Sequence, residues 1–318
     1  MNTRLIGLAS ARIGSALVTL VLVSIVIFAL SGLLSTDVAQ AILGQSATPE
    51  AVAGLRKAMH LDQPGWRRYI SWATGMLSGD PGTSLVNGIP VAELIGPRLA
   101  NSLTLAGITV VVAVPLALTV GILLAIKRGS ALDRTVSLLT IGIVSIPDFV
   151  IATLAVLLFA VTLHWLPALA LGRDLDSPAA YFRAFALPVF SLSLLVIAQM
   201  IRMTRAALIS ALSSSYAEAA LLKGASPARI VLRHALPNAI GPIATAVALS
   251  LSVLLGGVIV VEIIFSYPGV AKLMVDAVST RDMPLVQAVA LIFCSTYLFL
   301  VTTADLVAIF SNPRLRRR

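Results

Sequence analysis

Charge is scarce in this sequence. Asp, Glu, Lys and Arg make up 12% of its 318 residues, against 58% hydrophobic. A soluble domain carries roughly 25% charged residues, so the scarcity argues against a water-soluble chain and places this one in the bilayer, as does a mean hydropathy of +0.98. Cysteine is almost absent. Cys294 is the single one and falls in an apolar run, which excludes a disulfide framework and a cysteine metal site. No Gly-rich loop ending in Gly-Lys-Ser/Thr is present, so the chain should not hydrolyse ATP itself. His-Glu-x-x-His is missing, and His60, His164 and His234 stand far apart. Gly-x-Ser-x-Gly is missing too. Nothing in the sequence points to an enzyme, a bound cofactor or a metal.

What is there instead is a set of long uncharged runs. About 20 apolar residues cross a bilayer as a helix, and six segments qualify or nearly so: Ile13 to Leu33, Leu99 to Ile126, Thr135 to Leu163 with Pro147 and Asp148 inside it, Ala184 to Ile201, Asn238 to Val261, and Met283 to Ala304. The net charge is +9. Nucleic acid would explain that in a soluble protein, but here the bases cluster at the ends of the apolar runs and report topology. With the N-terminus inside, Arg4, Arg12, Lys127, Arg128, Arg134, Arg202, Arg205, Lys223, Arg229, Arg233, Arg314, Arg316, Arg317 and Arg318 all fall on the cytoplasmic side. Only Asp133, Glu218 and Asp305 oppose them there. Ala39-Gln40-Ala41 resembles a signal cleavage site, yet the first run exceeds the 7–15 residue core of a signal peptide and reads as a retained span. The expected fold is an all-α membrane protein of six transmembrane helices with both termini cytoplasmic. Residues 1–34 form the tail and first span, 35–98 an extracytoplasmic segment, and 99–318 a five-span core.

The extracytoplasmic segment is too polar to span. Thr48-Pro49-Glu50 reads as an N-cap, a first-turn proline and a first-turn acid, predicting a short helix to about Met59 that Leu61-Asp62-Gln63-Pro64 ends. Trp66, Tyr69, Ile70, Ala73, Met76 and Leu77 then fall on one helical face, before a turn at Gly79-Asp80-Pro81-Gly82. Such a helix either lies on the membrane surface with its aromatics at the headgroups or offers a surface to a soluble partner.

The strongest signal is a charged island at 202–238. Residues from about Leu208 to Lys223 are expected to form one helix, ended by Gly224. Ser226 and Pro227 start a second, running toward Leu236-Pro237. Ala217, Ala219, Ala220 and Ala225 permit close approach by a partner. Glu218 is a lone acid among bases, either a solvated helix charge or a contact.

Glu218-Ala219-Ala220, three residues, Gly224, then Leu236-Pro237 resembles the cytoplasmic loop of ABC importer permeases, here 208–237. The chain as a whole is similar to the first-permease type of the dipeptide/oligopeptide/nickel importer group, which has a long periplasmic segment. Further matches are Leu61-Asp62-Gln63-Pro64, Gly79-Asp80 with Gly82 and Ser84, Pro90-Val91, Ser145-Ile146-Pro147 with Phe149, Phe265-Ser266-Tyr267-Pro268-Gly269, and Arg281-Asp282-Met283-Pro284. His234, within Arg-His-Ala-Leu-Pro-Asn, follows the peptide group. Ser35-Thr36-Asp37 departs from the family's Pro-Gly-Asp, and Pro81 from a usual aliphatic residue. The resemblance implies a bacterial inner-membrane permease that forms half of a pathway for peptides or a related small solute. It also implies the partners: a second permease that is related but different, two ATPase subunits that use ATP and Mg, and a periplasmic or lipid-anchored substrate-binding protein. Glu218, Ala219, Ala220, Gly224, Leu236 and Pro237 would couple this chain to the ATPase.

Asp148 is the one acid well inside an expected span. Counting ~1.5 Å per residue from Thr135 puts it ~20 Å into the membrane, where a lipid-facing charge costs about 2.5–3.5 kcal/mol. It should face the bundle or a wet cavity, beside a bend at Pro147, either lining the translocation pathway, bonded between helices, or close enough to the outer interface to stay hydrated. Gly256-Gly257 reads as a close helix contact. Two rival functions have less behind them. A stand-alone secondary transporter would need an internal repeat and midplane ion sites, and an intramembrane hydrolase would need a nucleophile motif.

Overall fold

The computed structural model describes residues 3–35, 48, 63–169 and 177–311. Among them every regular element is a helix, and the only β pairing is a single bridge between Thr83 and Pro90. That is what hydrocarbon demands, since a helix satisfies its own backbone groups without water. The helices in chain order are α1 (Thr3–Ser35), α2 (Gly65–Ser78), α3 (Val91–Ile126), α4 (Ala131–Val144), α5 (Asp148–Ala155, continuing as a π-helical stretch Val156–Thr162), α6 (Pro178–Leu212) and α7 (Ser215–Leu222). A continuous rod follows, α8, made of Pro227–Arg229, a π-helical turn Ile230–Ala235 and Leu236–Ile264; α9 (Val270–Ser279) and α10 (Met283–Ser311) complete the chain. α1, α3, α6, α8 and α10 are each long and apolar enough to cross a membrane, and α4 with α5 makes a sixth span if the bent pair is counted as one.

The helices start and stop where the side chains dictate. Ser130 and Ser177 cap α4 and α6, their hydroxyls accepting from the N–H of Asp133 and Ala180. Pro178 then occupies the first turn of α6, where its missing N–H costs nothing. Gly79 ends α2 with φ +81°, a left-handed residue that glycine adopts without strain.

The third span differs from the straight segment expected. α4 and α5 meet at 99°, because Pro147 cannot continue the ladder and biases Ile146 away from helix. The depth of Asp148 counted along an unbroken helix therefore does not hold beyond Val144. The helical loop is also divided differently. α6 runs to Leu212 and stops, α7 is a separate short helix, and the element after Gly224 is the beginning of α8 rather than a second loop helix. Leu236-Pro237 lies inside that rod. Pro237 lacks the N–H that an α-helix would aim at the carbonyl of Arg233, and the π-helical turn sits immediately before it, a widening that suits a missing donor. The predicted helix after Thr48, Leu61-Asp62, Ala39 to Ala41 and the basic tail from Arg314 lie outside the described residues, save Thr48 itself.

The chain divides into two compact units. One comprises Met1–Ala16, Leu103–Tyr267 and Tyr297–Arg318. Its packing relies on small residues, as expected where lipid offers no hydrophobic drive between helices. A Cβ on Gly121 would stand 2.9 Å from Thr204 Cβ, and one on Gly241 3.4 Å from the backbone of Ala308. Gly257 is equally tight, 3.3 Å from Leu192, whereas Gly256 has nothing within 4 Å; the expected glycine contact belongs to Gly257 alone. In the Phe265–Gly269 turn, burial first, then the Glu262 carboxylate and Tyr181, pushes the Tyr267 phenol up to about 12, so it stays neutral.

The other unit comprises Leu17–Ser102 and Pro268–Thr296. Its core joins Val91 and Ile95 of α3, Val270 and Leu273 of α9, and Leu285 and Val289 of α10. Ser102 Oγ accepts from the N–H of Val270 at 2.8 Å, supplying α9 with the cap its own Gly269 cannot offer. The carboxylate of Asp282 organises the loop before α3. It accepts the Ser84 hydroxyl and, at 3.1 Å, the Leu85 N–H, while Arg281 beside it takes φ +57°. Asp282 is 2% exposed. Two motifs almost 200 residues apart in sequence, Gly79 to Ser84 and Arg281 to Pro284, are thus one structural knot. Replacing Asp282 by Ala leaves both donors unpaired and should cost roughly 2–4 kcal/mol; Ser84→Ala should cost about 1 kcal/mol. Thermal unfolding in nanodiscs, with limited proteolysis of the 82–90 loop, measures both.

Candidate functional site

The loop between α6 and α8 is built on alanine. Ala217 and Ala220 of α7 are buried against Ile230 of α8, with Leu212 and Ala225 beside them. Only a small side chain lets α7 sit this close to the rod. The turn that reverses the chain is Gly224, with φ +80°. Its N–H reaches the carbonyl of Leu221 at 2.9 Å, and that of Ala225 the carbonyl of Ala220 at 3.2 Å, so the last carbonyls of α7 are satisfied in the manner of a left-handed cap. Ser226 then starts α8, its hydroxyl accepting from Arg229 at 3.4 Å and its carbonyl from Ile230 at 2.9 Å.

The six residues singled out in this loop do not share one surface. Glu218, Ala219 and Gly224 face outward. Ala220 faces inward. Leu236 is half-buried against a cluster of Ala125, Leu208, Val231 and Ala235, and Pro237 is exposed on the rod beyond it. Glu218 borders a cleft of about 340 Å³ whose walls include Leu212, Ala217, Leu221 and Ile230. Sequence reasoning overlooked the apolar residues that α7 leaves uncovered: Leu221 is 58% exposed and Leu222 83%. Two adjacent leucines on a segment taken to lie outside the bilayer were the available sign.

A second overlooked feature braces the stem of this loop. Arg205 of α6 grips Asp133 of α4 with both arms of its guanidinium, Nε to Oδ1 at 2.6 Å and Nη2 to Oδ2 at 2.8 Å. Oδ2 also accepts from the Gly129 N–H at 2.9 Å. Asp133 is almost fully buried, and Arg205 is partly exposed. In the sequence Asp133 is only one acid among cytoplasmic bases, and nothing in the spacing names its partner. A second ion pair, Arg12 with Asp305 at 3.2 Å, joins the beginning of α1 to the later part of α10.

Asp148 opens α5 just after the bend. It is half-buried, its Oδ1 accepts from the N–H of Phe149 at 2.9 Å, and its Oδ2 stands 3.9 Å from where a Cβ on Gly257 would lie. Pro147 precedes it as the capping residue, extended at ψ 142°. A negative charge at the start of a helix is favoured by the helix dipole. Asp148 is not the only acid in the helical bundle: Glu262, one residue past the limit drawn for the fifth span, is fully buried near the end of α8. Among the described residues no three His, Cys, Asp or Glu side chains gather as a metal site.

Breaking the Asp133–Arg205 pair should loosen α4 from α6. Asp133→Asn is expected to cost about 2–3 kcal/mol, below the usual cost for a fully buried pair because Arg205 retains some water. The exchange Asp133→Arg with Arg205→Asp should recover part of it. A fall in thermal midpoint for the single variant and partial recovery for the double one is the expected pattern.

Known proteins similar to this chain cover it nearly end to end. Residues 117–317 match the family described as the binding-protein-dependent transport system inner membrane component, and residues 6–106 match the N-terminal part of such a membrane component. A probable peptide ABC transporter permease protein, y4tP, of Sinorhizobium fredii is 33% identical over 96% of this chain and 97% of its own length. A putative peptide transport system permease protein of Brucella abortus is also 33% identical over the same shares. The glutathione transport system permease protein GsiC of Salmonella typhi is 35% identical over 94% of this chain and 95% of its own. These matches favour an importer permease over the secondary transporter and the intramembrane hydrolase. With five to six apolar helices of spanning length and both parts of the family pattern in order, this chain belongs to the peptide family of binding-protein-dependent ABC importer permeases, the multi-pass inner-membrane subunits of those transporters.

Proposed function

We propose that α7 is the element through which this permease is driven. In this reading two ATPase subunits, which bind and hydrolyse ATP with Mg, close on each other and push α7. Gly224 and the packed alanines transmit the push to α8, and Asp133–Arg205 holds the stem of α6 while it is delivered. The observation that carries the reading is the construction of α7 itself: a short helix with Leu221, Leu222 and Glu218 outward and Ala217 and Ala220 locked inward on α8. A free loop with that much exposed leucine would have no reason to be so firmly braced. Glu218 contributes a polar contact, and Gly224 contributes shape.

One chain supplies one such loop and half a pathway, so a second permease, related but different, completes the pore. A periplasmic or lipid-anchored binding protein delivers the solute. The cargo class is peptides or a related small solute, supported by the names of the relatives, which include peptide and glutathione permeases. Both termini and the 208–237 loop are cytoplasmic and residues 35–98 periplasmic. The basic flanks favour this, and the Arg12–Asp305 pair supports placing both ends of the chain on one side. Asp148, at the broken third span with Pro147, lines the pathway in this reading; a discontinuous helix within a transporter is a usual place for polar groups that meet cargo.

The test uses the assembled importer in proteoliposomes. A Cβ at Gly224 would meet nothing within 4 Å, but Gly224→Val forces a branched side chain into the left-handed region at a cost of about 1–2 kcal/mol. It should insert normally, lose most ATPase in co-purification and lose most ATP-driven uptake. Gly224→Ala should lose less. Asp148→Asn should lower uptake while the complex is recovered in full. Normal co-purification and normal uptake by Gly224→Val would refute the coupling role of α7.

A further inference from the structure

α2 lies in the segment between α1 and α3, and coupling gives it no task. Successive residues turn by ~100° around a helix, which divides α2 into three faces. Tyr69, Trp72 and Met76 form the packed one, and all are half-buried. The Tyr69 hydroxyl shares a hydrogen bond of 2.8 Å with Ser24 of α1. Phe28 of α1 meets the Tyr69 ring edge-on at 5.6 Å and the Trp72 ring at 5.7 Å. Arg67, Ser71, Thr74 and Ser78 form a polar face. Between the two runs a third stripe, Trp66, Ile70 and Leu77, spanning only about 40° of arc. It is uncovered: these residues are 61%, 52% and 90% exposed. The face drawn from sequence alone merged the packed residues with the stripe; the structure separates them.

The level of α2 follows from its contacts with α1. Ser24 lies eleven residues into the uncharged run that starts at Ile13, ~16 Å at 1.5 Å per residue, close to the middle of a ~30 Å hydrocarbon layer. Phe28 is one turn further on. At Gly32 a Cβ would stand 3.6 Å from Arg68 Nη2. The contacts therefore run along the second half of the span, from Ser24 to Gly32, rather than above its end. Away from them α1 exposes Leu22, Ile25, Val26 and Leu30 to its surroundings, a wall only lipid or another membrane helix can cover. The stripe on α2 extends that wall at the same depth.

We propose that α2 is embedded in the leaflet that surrounds the second half of α1, with Trp66, Ile70 and Leu77 against lipid acyl chains and its polar face turned to the headgroups. This rests on α1 being a span; with a cytoplasmic N-terminus the leaflet is the outer one. The backbone tolerates that position, because α2 keeps its helical bonds and its last carbonyls are closed by Gly79 and by the Asp80 N–H on Gly75 at 2.9 Å. The arginines fit as well. The Arg67 guanidinium stands over the Trp66 ring at 5.2 Å and that of Arg68 over Phe28 at 5.7 Å, so each charge is met by an aromatic face where water is scarce. A soluble partner would need the stripe clear of the hydrocarbon, which the Tyr69–Ser24 contact does not allow.

Nitroxide labels placed singly at Ile70, Thr74, Leu77 and Ser78, in a Cys294→Ala background, test this in the full complex. Nanodiscs of phosphatidylethanolamine and phosphatidylglycerol expose both leaflets, so the outcome is independent of the chain's orientation and of whether α7 couples to an ATPase. Labels at Ile70 and Leu77 should collide with oxygen several-fold more than with a water-soluble nickel chelate, and labels at Thr74 and Ser78 should show the reverse. Nickel access at Ile70 and Leu77 equal to that at Thr74 and Ser78 would overturn the embedding. Nickel access at Ile70 and Leu77 that disappears when the substrate-binding protein is added would overturn it in favour of a protein docking surface.

Discussion

A backbone amide or a charge in hydrocarbon must find its partner within the protein, and the arrangement of this chain follows from that requirement. Helices satisfy their own amides, so among the described residues the apolar runs of spanning length are helical. The exceptions occur where a residue withholds a donor or a side chain supplies one. Pro147 withholds a donor and the third span turns by 99°. Pro237 withholds another, and α8 widens to a π-helical turn before it. Asp133 and Arg205 satisfy each other so completely that a buried carboxylate becomes a brace between two helices. Asp282 does the same for a loop, accepting Ser84 and Leu85 from the far end of the sequence.

In the proposed topology the same requirement explains how a membrane subunit can present a rigid handle outside the bilayer. Away from lipid, a short helix has little to hold it, since an isolated helix of eight residues is unstable in water. α7 is held instead by alanines against α8 and by a glycine turn whose amides close its final carbonyls. In the proposed mechanism this stiffness is the function. A lever that bent at its joint would absorb the push from the ATPase instead of passing it to the rod. The small residues that allow α6 and α3 to cross closely at Gly121, and α8 and α10 at Gly241, extend the same economy of side-chain volume along the helices that would carry the motion.

The sequence made the class of protein plain and left much of its wiring hidden. Spans are legible because hydropathy is additive over about 20 residues, and Gly224 is legible because few residues adopt φ +80° at no cost. Span ends proved longer than drawn: α3 begins at Val91 and α6 at Pro178, since amphipathic extensions beyond the hydrocarbon carry charges that a hydropathy reading excludes. Glu262 was passed over for that reason. The loop helices divide at Ser213–Ser214, where Ser214 turns extended to start α7, a local cap signal that a single long helix ignores. Pairs such as Asp133 with Arg205, or Ser84 with Asp282, join residues that no local pattern links. The exposed stripe of α2 differs from its packed face by less than one turn of a helical wheel, too fine a distinction for periodicity without the position of Phe28.

The central claim is that the outward side of α7 is covered by an ATPase. Leu222 is the residue to ask, being 83% exposed and uninvolved in holding α7 to α8. A photo-crosslinking amino acid at this position, activated in the assembled importer in its native membrane, should yield an adduct with an ATPase subunit as its main product, and the yield should change when ATP is trapped. An adduct confined to lipid, to the second permease or to this chain itself would contradict the account.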